Sequence, residues 1–150
     1  MEFELAVRLL RSNPYGFLTT VGADGRPNSR LVEHLAVDDD ATVWIGTSPR
    51  SRKVADIRRR PDVTYAVEDR SAFAYVSLAA RAEPVEDLAE RVARWSPGHE
   101  AFFPGGPSGD DYVLIRLRPV RVEVMDFTNR VHPDPYGLMP ASVELGGAGA

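Results

Sequence analysis

Basic residues concentrate in one short segment of the sequence, TSPRSRKVADIRRRP, at residues 47–61. The chain as a whole carries a net charge of −4, so this cluster needs a local explanation. The segment reads as the end of a strand, a turn and a helix that opens with Ser51, Arg52 and Lys53. Free backbone N–H groups at a helix N-terminus bind anions, and arginine and lysine side chains add charge-assisted hydrogen bonds to a phosphate. The residue types therefore indicate a phosphate-binding turn, with a solvated helix start as the equally open alternative.

The second half of the same segment has a different interpretation. Arg58, Arg59 and Arg60 fall at the C-terminal end of the predicted helix, where positive charge complements the helix dipole. We therefore expect a solvated helix end there and no role in phosphate binding. Ser48 or Ser51 is available to cap the N-terminal end of the helix.

Other chemistries find little support in the sequence. His34, His99 and His132 are scattered without metal-ligand spacing, and the chain has no cysteine. No G-x-S-x-G nucleophile motif is present, and Gly105-Gly106-Pro107 lacks the lysine of a phosphate-binding loop. The pI of about 5.4 and the lack of a recognition motif argue against nucleic-acid binding.

The elements that must position the basic cluster follow from hydrophobic periodicity. Strand-like runs are separated by turns such as Gly22–Gly25, which is typical of antiparallel hairpins. The pattern predicts strands over 15–21, 27–37, 42–47, 62–67, 73–85 and 112–127, and helices over 3–11, 50–60 and 86–95. This order indicates a small antiparallel barrel with helical additions.

Two of the predicted helices have apolar residues spaced for one buried face. The helix over 50–60 is expected to bury Val54, Ala55 and Ile57. The helix over 86–95 is expected to bury Leu88, Val92 and Trp95.

The length of 150 residues suits one domain. We divide the chain into a barrel domain over 1–128 and a proline-rich C-terminal arm with a flexible end over 129–150. The N-terminal segment MEFELAVRLLRSNP has neither the pattern of a signal peptide nor that of a membrane span, so a cytoplasmic protein without a membrane partner is expected.

Three segments together resemble a known family. GFLTTVGADGRPNSRLV, TVWIGTSPRSRKVADIRRRPDVTYAV and AYVSLAARAEPV are similar to the pyridoxamine 5′-phosphate oxidase-like family of FMN-binding split barrels. WSPGHEAFFPGGPSGDDYVLIRLRPVRVEVMD resembles the general-stress-protein branch of that family. The resemblance implies a mainly β (α+β) fold, a six-stranded antiparallel split β-barrel with Greek-key connections and flanking helices.

The resemblance also implies a function and a set of site residues. The implied function is that of a flavin-dependent oxidoreductase, with FMN at the interface of a homodimer and a small-molecule redox substrate. By this resemblance, Arg30, Leu31 and Val32 lie along the flavin and ribityl chain, and Thr47 and Ser48 contact the ribityl and phosphate groups. Ser51, Arg52 and Lys53 correspond to the phosphate-binding turn of the family. Tyr75 and Ser77 correspond to positions near the flavin ring.

Several alternatives stay open at this point. The same barrel accommodates an F420-dependent reductase, or a carrier or sensor that holds flavin or haem without turnover, and FAD is a further cofactor option. For the homodimer we expect Val113, Ile115 and Leu117 to present apolar faces that a partner covers. The arm segment VHPDPYGLMP, residues 131–140, is expected to pack over the mouth of the cofactor site.

Overall fold

The computed structural model describes residues 2–131 and 139–145. Its helices and strands follow the sequence-based boundaries closely, apart from a shorter third helix and one additional strand near the C-terminus. In chain order they are α1 (Glu2–Ser12), β1 (Tyr15–Val21), β2 (Pro27–Val37), β3 (Val43–Thr47), α2 (Arg52–Arg59), β4 (Asp62–Asp69), β5 (Ala74–Val85), α3 (Leu88–Ala93), β6 (Val113–Asp126) and β7 (Ala141–Glu144).

Six antiparallel strands close into a barrel. The strands lie in the order β3-β2-β1-β4-β5-β6, and pairing of β3 with β6 completes the circle. The connection through α2 carries the chain from β3 across to β4, which pairs with β1, so the first four strands form a Greek key. The predicted mainly β, six-stranded barrel with flanking helices is confirmed.

A seventh strand extends the sheet from the C-terminal arm. β7 pairs with β6 through residues 141–144 and 121–124. No strand was predicted for residues 141–144, which were included in the proline-rich arm, although Ala141, Ser142, Val143 and Glu144 alternate apolar and polar side chains.

The barrel core depends on the alternation of side chains along the strands. Every second residue of β1 and β5 is buried, and α1 adds Leu5, Val7 and Leu10 to the same apolar cluster. Val113, Ile115 and Leu117 also lie in this cluster and are fully buried within the subunit. The expectation that these three residues await a partner is therefore wrong, because the alternation of β6 turns them into the barrel.

Exposed apolar side chains occur elsewhere on the surface. Phe17 and Leu31 are directly opposite each other on β1 and β2, and both are more than half exposed. The large hydrophobic residues exposed in the described part of the chain are Tyr15, Phe17, Leu31, Phe73, Leu88, Val92, Phe102 and Met139.

The helix α3 is shorter than predicted, and the face that was predicted to be buried is exposed. Leu88 and Val92 are exposed rather than buried. The side of α3 that faces the protein carries Arg91, which donates hydrogen bonds to the carbonyls of Gly109 and Tyr112, and Arg94. The guanidinium of Arg94 lies over the ring of Trp44 and pairs with Asp38. Polar contacts of two arginines thus orient the helix, which the apolar spacing did not indicate.

The helix α2 also buries a residue that the sequence analysis did not select. Val54 and Ile57 are buried as predicted, but Ala55 is exposed and the third buried position is Asp56. A carboxylate on the inner face of a helix needs specific partners, which are described with the site below.

A buried histidine joins α1 to the barrel. The Nε2 atom of His34 lies 2.7 Å from the carbonyl of Leu10, and Nδ1 lies 2.6 Å from the hydroxyl of Tyr65. Since a carbonyl only accepts, Nε2 carries the proton and Nδ1 accepts from Tyr65 in the neutral ring. Burial lowers the pKa of His34 from its ordinary value of 6.5.

We predict that this histidine makes the stability depend on pH. The unfolded chain binds the proton at a higher pH than the folded chain does, so the free energy of unfolding falls as the pH drops below 6.5. The slope from one such group is at most about 1.4 kcal/mol per pH unit. Urea unfolding between pH 7.5 and 5.5 measures it. The slope should shrink in His34→Gln but persist in His99→Gln, and an equal slope in wild type and His34→Gln would contradict the assignment.

Candidate functional site

The start of α2 leaves polar groups without partners. The chain turns after β3 through hydrogen bonds from Ser51 N to the Ser48 carbonyl and from Arg50 N to Ser48 Oγ. Ser51 occupies the N-cap position of α2, but its hydroxyl makes no capping hydrogen bond. The predicted side-chain cap is therefore absent. Ser51 Oγ is buried without a hydrogen-bond partner among the residues that the structure describes.

Lys53 is the second residue of α2. Its ammonium donates a 2.8 Å hydrogen bond to Thr47 Oγ1 at the end of β3. Burial, and secondarily the charge of Arg30, lowers the pKa of Lys53. The structure thus brings two residues of the predicted site, Thr47 and Lys53, into direct contact.

Arg30 reaches the same region from β2. Its Nη1 atom donates to the carbonyl of Leu18 at 3.2 Å and to the hydroxyl of Thr20 at 2.8 Å. Its Nη2 atom is buried and donates no hydrogen bond within the described parts of the chain. Burial lowers the pKa of Arg30, the charge of Arg52 lowers it further, and Asp56 opposes both. A partly buried guanidinium with one free side is a ready partner for an anion.

A cavity of about 380 Å³ opens beside Lys53. Five residues of the predicted site line it: Leu31, Val32, Thr47, Ser48 and Lys53. The other lining residues were not predicted as site residues from the sequence: Glu33, Leu35, Gly46, His99, Phe102 and Phe103.

The aromatic wall comes from the loop between α3 and β6. His99 opens a short 3₁₀ turn, accepts a hydrogen bond from Ser96 N through Nδ1, and packs edge-on against Trp95. Phe103 packs against Tyr112 in the same cluster. The Phe-Pro-Gly-Gly sequence that follows was visible as a motif, but its position over the end of β3 depends on long-range packing.

Tyr75 and Ser77 do not meet Lys53 within one chain. Tyr75 lines a second cavity, of about 490 Å³, together with Tyr15, Phe17 and Leu31. Ser77 lies on β5 opposite Ala66 and Glu123 and lines neither cavity. Leu31 lines both cavities and marks where they adjoin.

The remaining arginines of the cluster have separate environments. Arg52 is exposed at the helix start, and Arg58 pairs with Glu86 on the surface. Arg59 donates a 3.0 Å hydrogen bond to Asp56, which is fully buried. The expectation of a merely solvated helix end is therefore wrong for Arg59, because its guanidinium compensates a buried carboxylate.

The described residues contain neither a metal-binding cluster nor a membrane-spanning helix. No group of three or more histidine, aspartate or glutamate side chains lies where it could hold a metal ion. None of the helices in residues 2–131 and 139–145 has the length and apolar character needed to cross a membrane.

A closed six-stranded antiparallel barrel with a few helical additions defines the class of protein as a split barrel. The chain belongs to the pyridoxamine 5′-phosphate oxidase family, whose model matches residues 4–126. No curated protein sequence matches the chain significantly.

Solved structures support the same fold. A protein related to general stress protein 26, from Clostridium acetobutylicum, is 19% identical with a TM-score of 0.79, over 95% of this chain and 94% of that chain. A pyridoxamine 5′-phosphate oxidase-related, FMN-binding protein from Nostoc punctiforme is 20% identical with a TM-score of 0.67, over 97% and 93%. An F420 reductase is 24% identical with a TM-score of 0.62, over 77% of this chain and 93% of that chain.

Proposed function

We propose that this protein binds FMN, with the phosphate at the start of α2, and acts as a flavin-dependent oxidoreductase. The observation that carries the proposal is Lys53 in the cavity wall, with the cation Arg30 close to it. Lys53 and Arg30 are both partly buried, and Arg30 retains a buried guanidinium nitrogen without a hydrogen bond. Such groups are costly unless an anion completes them.

The residues present fit a phosphorylated flavin. Lys53 lines the cavity and supplies an ammonium donor for a phosphate. Arg30 Nη2 and the hydroxyl of Ser51 are buried close to it and have no hydrogen-bond partner among the described residues, so a phosphate bound at the start of α2 would give them one. The cavity volume is within the range of about 300–1,000 Å³ that small-molecule sites occupy. Leu31, Val32 and Phe103 give the rest of the cavity the apolar lining that a flavin ring needs.

We further infer that the site is shared between two copies of the chain. Tyr15, Phe17 and Leu31 form an exposed apolar face between the two cavities. A second subunit packed on this face would remove the apolar surface from water and bring its own Tyr75 and Ser77 towards the cofactor. This arrangement accounts for predicted site residues that lie apart within one chain.

The division of labour follows from this placement. FMN, when bound, supplies the redox chemistry, and the chain supplies binding and orientation. Arg30, Lys53 and Ser51 hold the phosphate, and Leu31 and Val32 lie along the ring and ribityl chain. The wall formed by His99, Phe102 and Phe103 restricts what approaches from the loop side. No side chain is assigned as a catalytic acid or base.

An F420-dependent reductase is the second candidate. It is favoured by the likeness to an F420 reductase, and Lys53 in the cavity wall would also attract an anionic deazaflavin.

The absorption spectrum of the purified protein tests the cofactor. We expect the two visible bands of a flavin, released as FMN on denaturation. A single deazaflavin band would show that the cofactor is F420 and not FMN. A Soret band would show that it is haem and would overturn the proposal.

Reduction separates an enzyme from a carrier. Mixing the flavin-loaded protein anaerobically with NADH or NADPH should bleach the flavin bands, with reoxidation on addition of an acceptor. Bands that persist with both donors would contradict a nicotinamide-dependent reaction and favour storage or sensing.

A further inference from the structure

Asp56 is a carboxylate on the inner face of α2 with 0% exposure. Thr20 Oγ1 donates a 2.8 Å hydrogen bond to its Oδ2 atom, and Arg59 Nη2 donates a 3.0 Å hydrogen bond to its Oδ1 atom. Arg30 Nη2 lies 3.9 Å from Oδ2, beyond hydrogen-bond distance. Val54 and Ile57 fill the neighbouring buried positions of α2, so an apolar residue at position 56 would suit packing alone.

The directions of these hydrogen bonds are determined by the donor inventory. The hydroxyl of Thr20 has one proton, which it gives to the carboxylate of Asp56. The oxygen of this hydroxyl therefore accepts the hydrogen bond from Arg30 Nη1, which is 2.8 Å away. The chain from Arg30 through Thr20 to Asp56 therefore holds one edge of the guanidinium and leaves Nη2 without a hydrogen bond.

The positive charges around Arg30 explain why its guanidinium needs this series of hydrogen bonds. Arg52 lowers the pKa of Arg30, and Arg30 in turn lowers that of Lys53, so the three cations repel one another. Without a restraint, repulsion would move the guanidinium of Arg30 away from Lys53 and Arg52. The carboxylate of Asp56 counters this repulsion because it attracts the guanidinium of Arg30.

We propose that Asp56 is a positioning residue for the phosphate site. It acts through Thr20 on Arg30, holds the guanidinium close to Lys53 at the proposed phosphate site, and does not touch the ligand. This inference rests on the proposed FMN site at the start of α2.

The direction in which one substitution changes the affinity for FMN distinguishes a positioning role from a purely electrostatic one. Removing a carboxylate near an anion site should strengthen anion binding if charge alone matters. Loss of a positioning residue should weaken it. Asp56→Asn keeps the size of the side chain and removes its charge, so the two accounts predict opposite changes.

The experiment titrates the cofactor-free protein with FMN and with riboflavin, which lacks the phosphate. We expect Asp56→Asn to weaken FMN binding about tenfold, as for loss of one charge-assisted hydrogen bond. Riboflavin binding should stay within about twofold. Asp24→Asn, an exposed aspartate in the β1–β2 turn, is the matched control and should change neither affinity.

A double-mutant cycle tests whether Asp56 acts through Arg30. Arg30→Ala should weaken FMN binding at least as much as Asp56→Asn, and adding Asp56→Asn to Arg30→Ala should cost nothing more. Thr20→Val breaks the middle of the hydrogen-bond chain and should reproduce the loss for FMN alone. It also serves if Asp56→Asn does not fold.

Unchanged or tighter FMN binding in Asp56→Asn would overturn the inference, as would additive losses in the cycle or an equal loss for riboflavin. The Lys53→Ala variant shows whether a negative result refutes only the role of Asp56 or the proposed phosphate site as well. If Lys53→Ala separates FMN from riboflavin and Asp56→Asn does not, only the positioning role is refuted. If neither does, the phosphate site itself is refuted.

Discussion

Replacing Lys53 by alanine is expected to weaken FMN binding by roughly ten- to a hundredfold and to leave riboflavin binding nearly unchanged. The ammonium is partly buried next to Thr47, so its interaction with a phosphate is poorly screened by water. Arg52→Ala should act in the same direction at the lower end of this range, because Arg52 is exposed. Fluorescence titration of the cofactor-free variants with both ligands measures the effect.

The same basic segment contains a matched control. Arg58 carries the same charge a turn and a half later, but it pairs with Glu86 on the surface. Arg58→Ala should leave both affinities unchanged. A loss in Arg58→Ala equal to that in Lys53→Ala, or a parallel loss of riboflavin binding, would show that the start of α2 does not hold the phosphate.

Replacing Phe17 by aspartate is expected to dissociate the proposed homodimer. Phe17 is 55% exposed in the single chain, directly opposite Leu31, so the substitution should leave the barrel folded. In a two-fold interface the new charge occurs twice, and each buried unpaired carboxylate costs several kcal/mol. We therefore expect the dimer to weaken more than about a hundredfold. Sedimentation equilibrium at micromolar concentration measures this, and FMN binding should fall with it.

Leu88 provides the comparison for this substitution. It is 50% exposed, close to the value for Phe17, but lies on α3 and lines neither cavity. Leu88→Asp should leave a dimer that binds FMN. A wild-type monomer that binds FMN, or a Phe17→Asp variant that stays dimeric, would contradict the interface.

The arm over 129–150 lies partly beyond what the structure describes. Its expected role over the cofactor site depends on Tyr136 and Leu138, which are outside the described residues, whereas Met139 is described and exposed. β7 nevertheless ties the far end of this arm to β6. The barrel edge at β6 is therefore covered by the chain itself over residues 121–124.

The phosphate turn could be predicted from the sequence because its parts are neighbours in the chain. A strand that ends at Thr47 and a helix that starts at Arg52 bring Ser51 and Lys53 to one place by local geometry alone. The alternation of apolar residues likewise indicated the barrel strands, since side chains of a strand point alternately to its two faces.

Only the tertiary structure could decide which residues complete the site. Asp56 was overlooked on an otherwise apolar face because its partners Thr20 and Arg30 come from β1 and β2, far away in sequence. Long-range packing also decided that His99 and Phe103 line the cavity, that Leu88 is exposed and that Ile115 is buried. The sequence by itself determined the strands, the helix start and its cations, because these follow from local periodicity and neighbouring residues. Strand pairing across the closed barrel decided which distant side chains meet those cations.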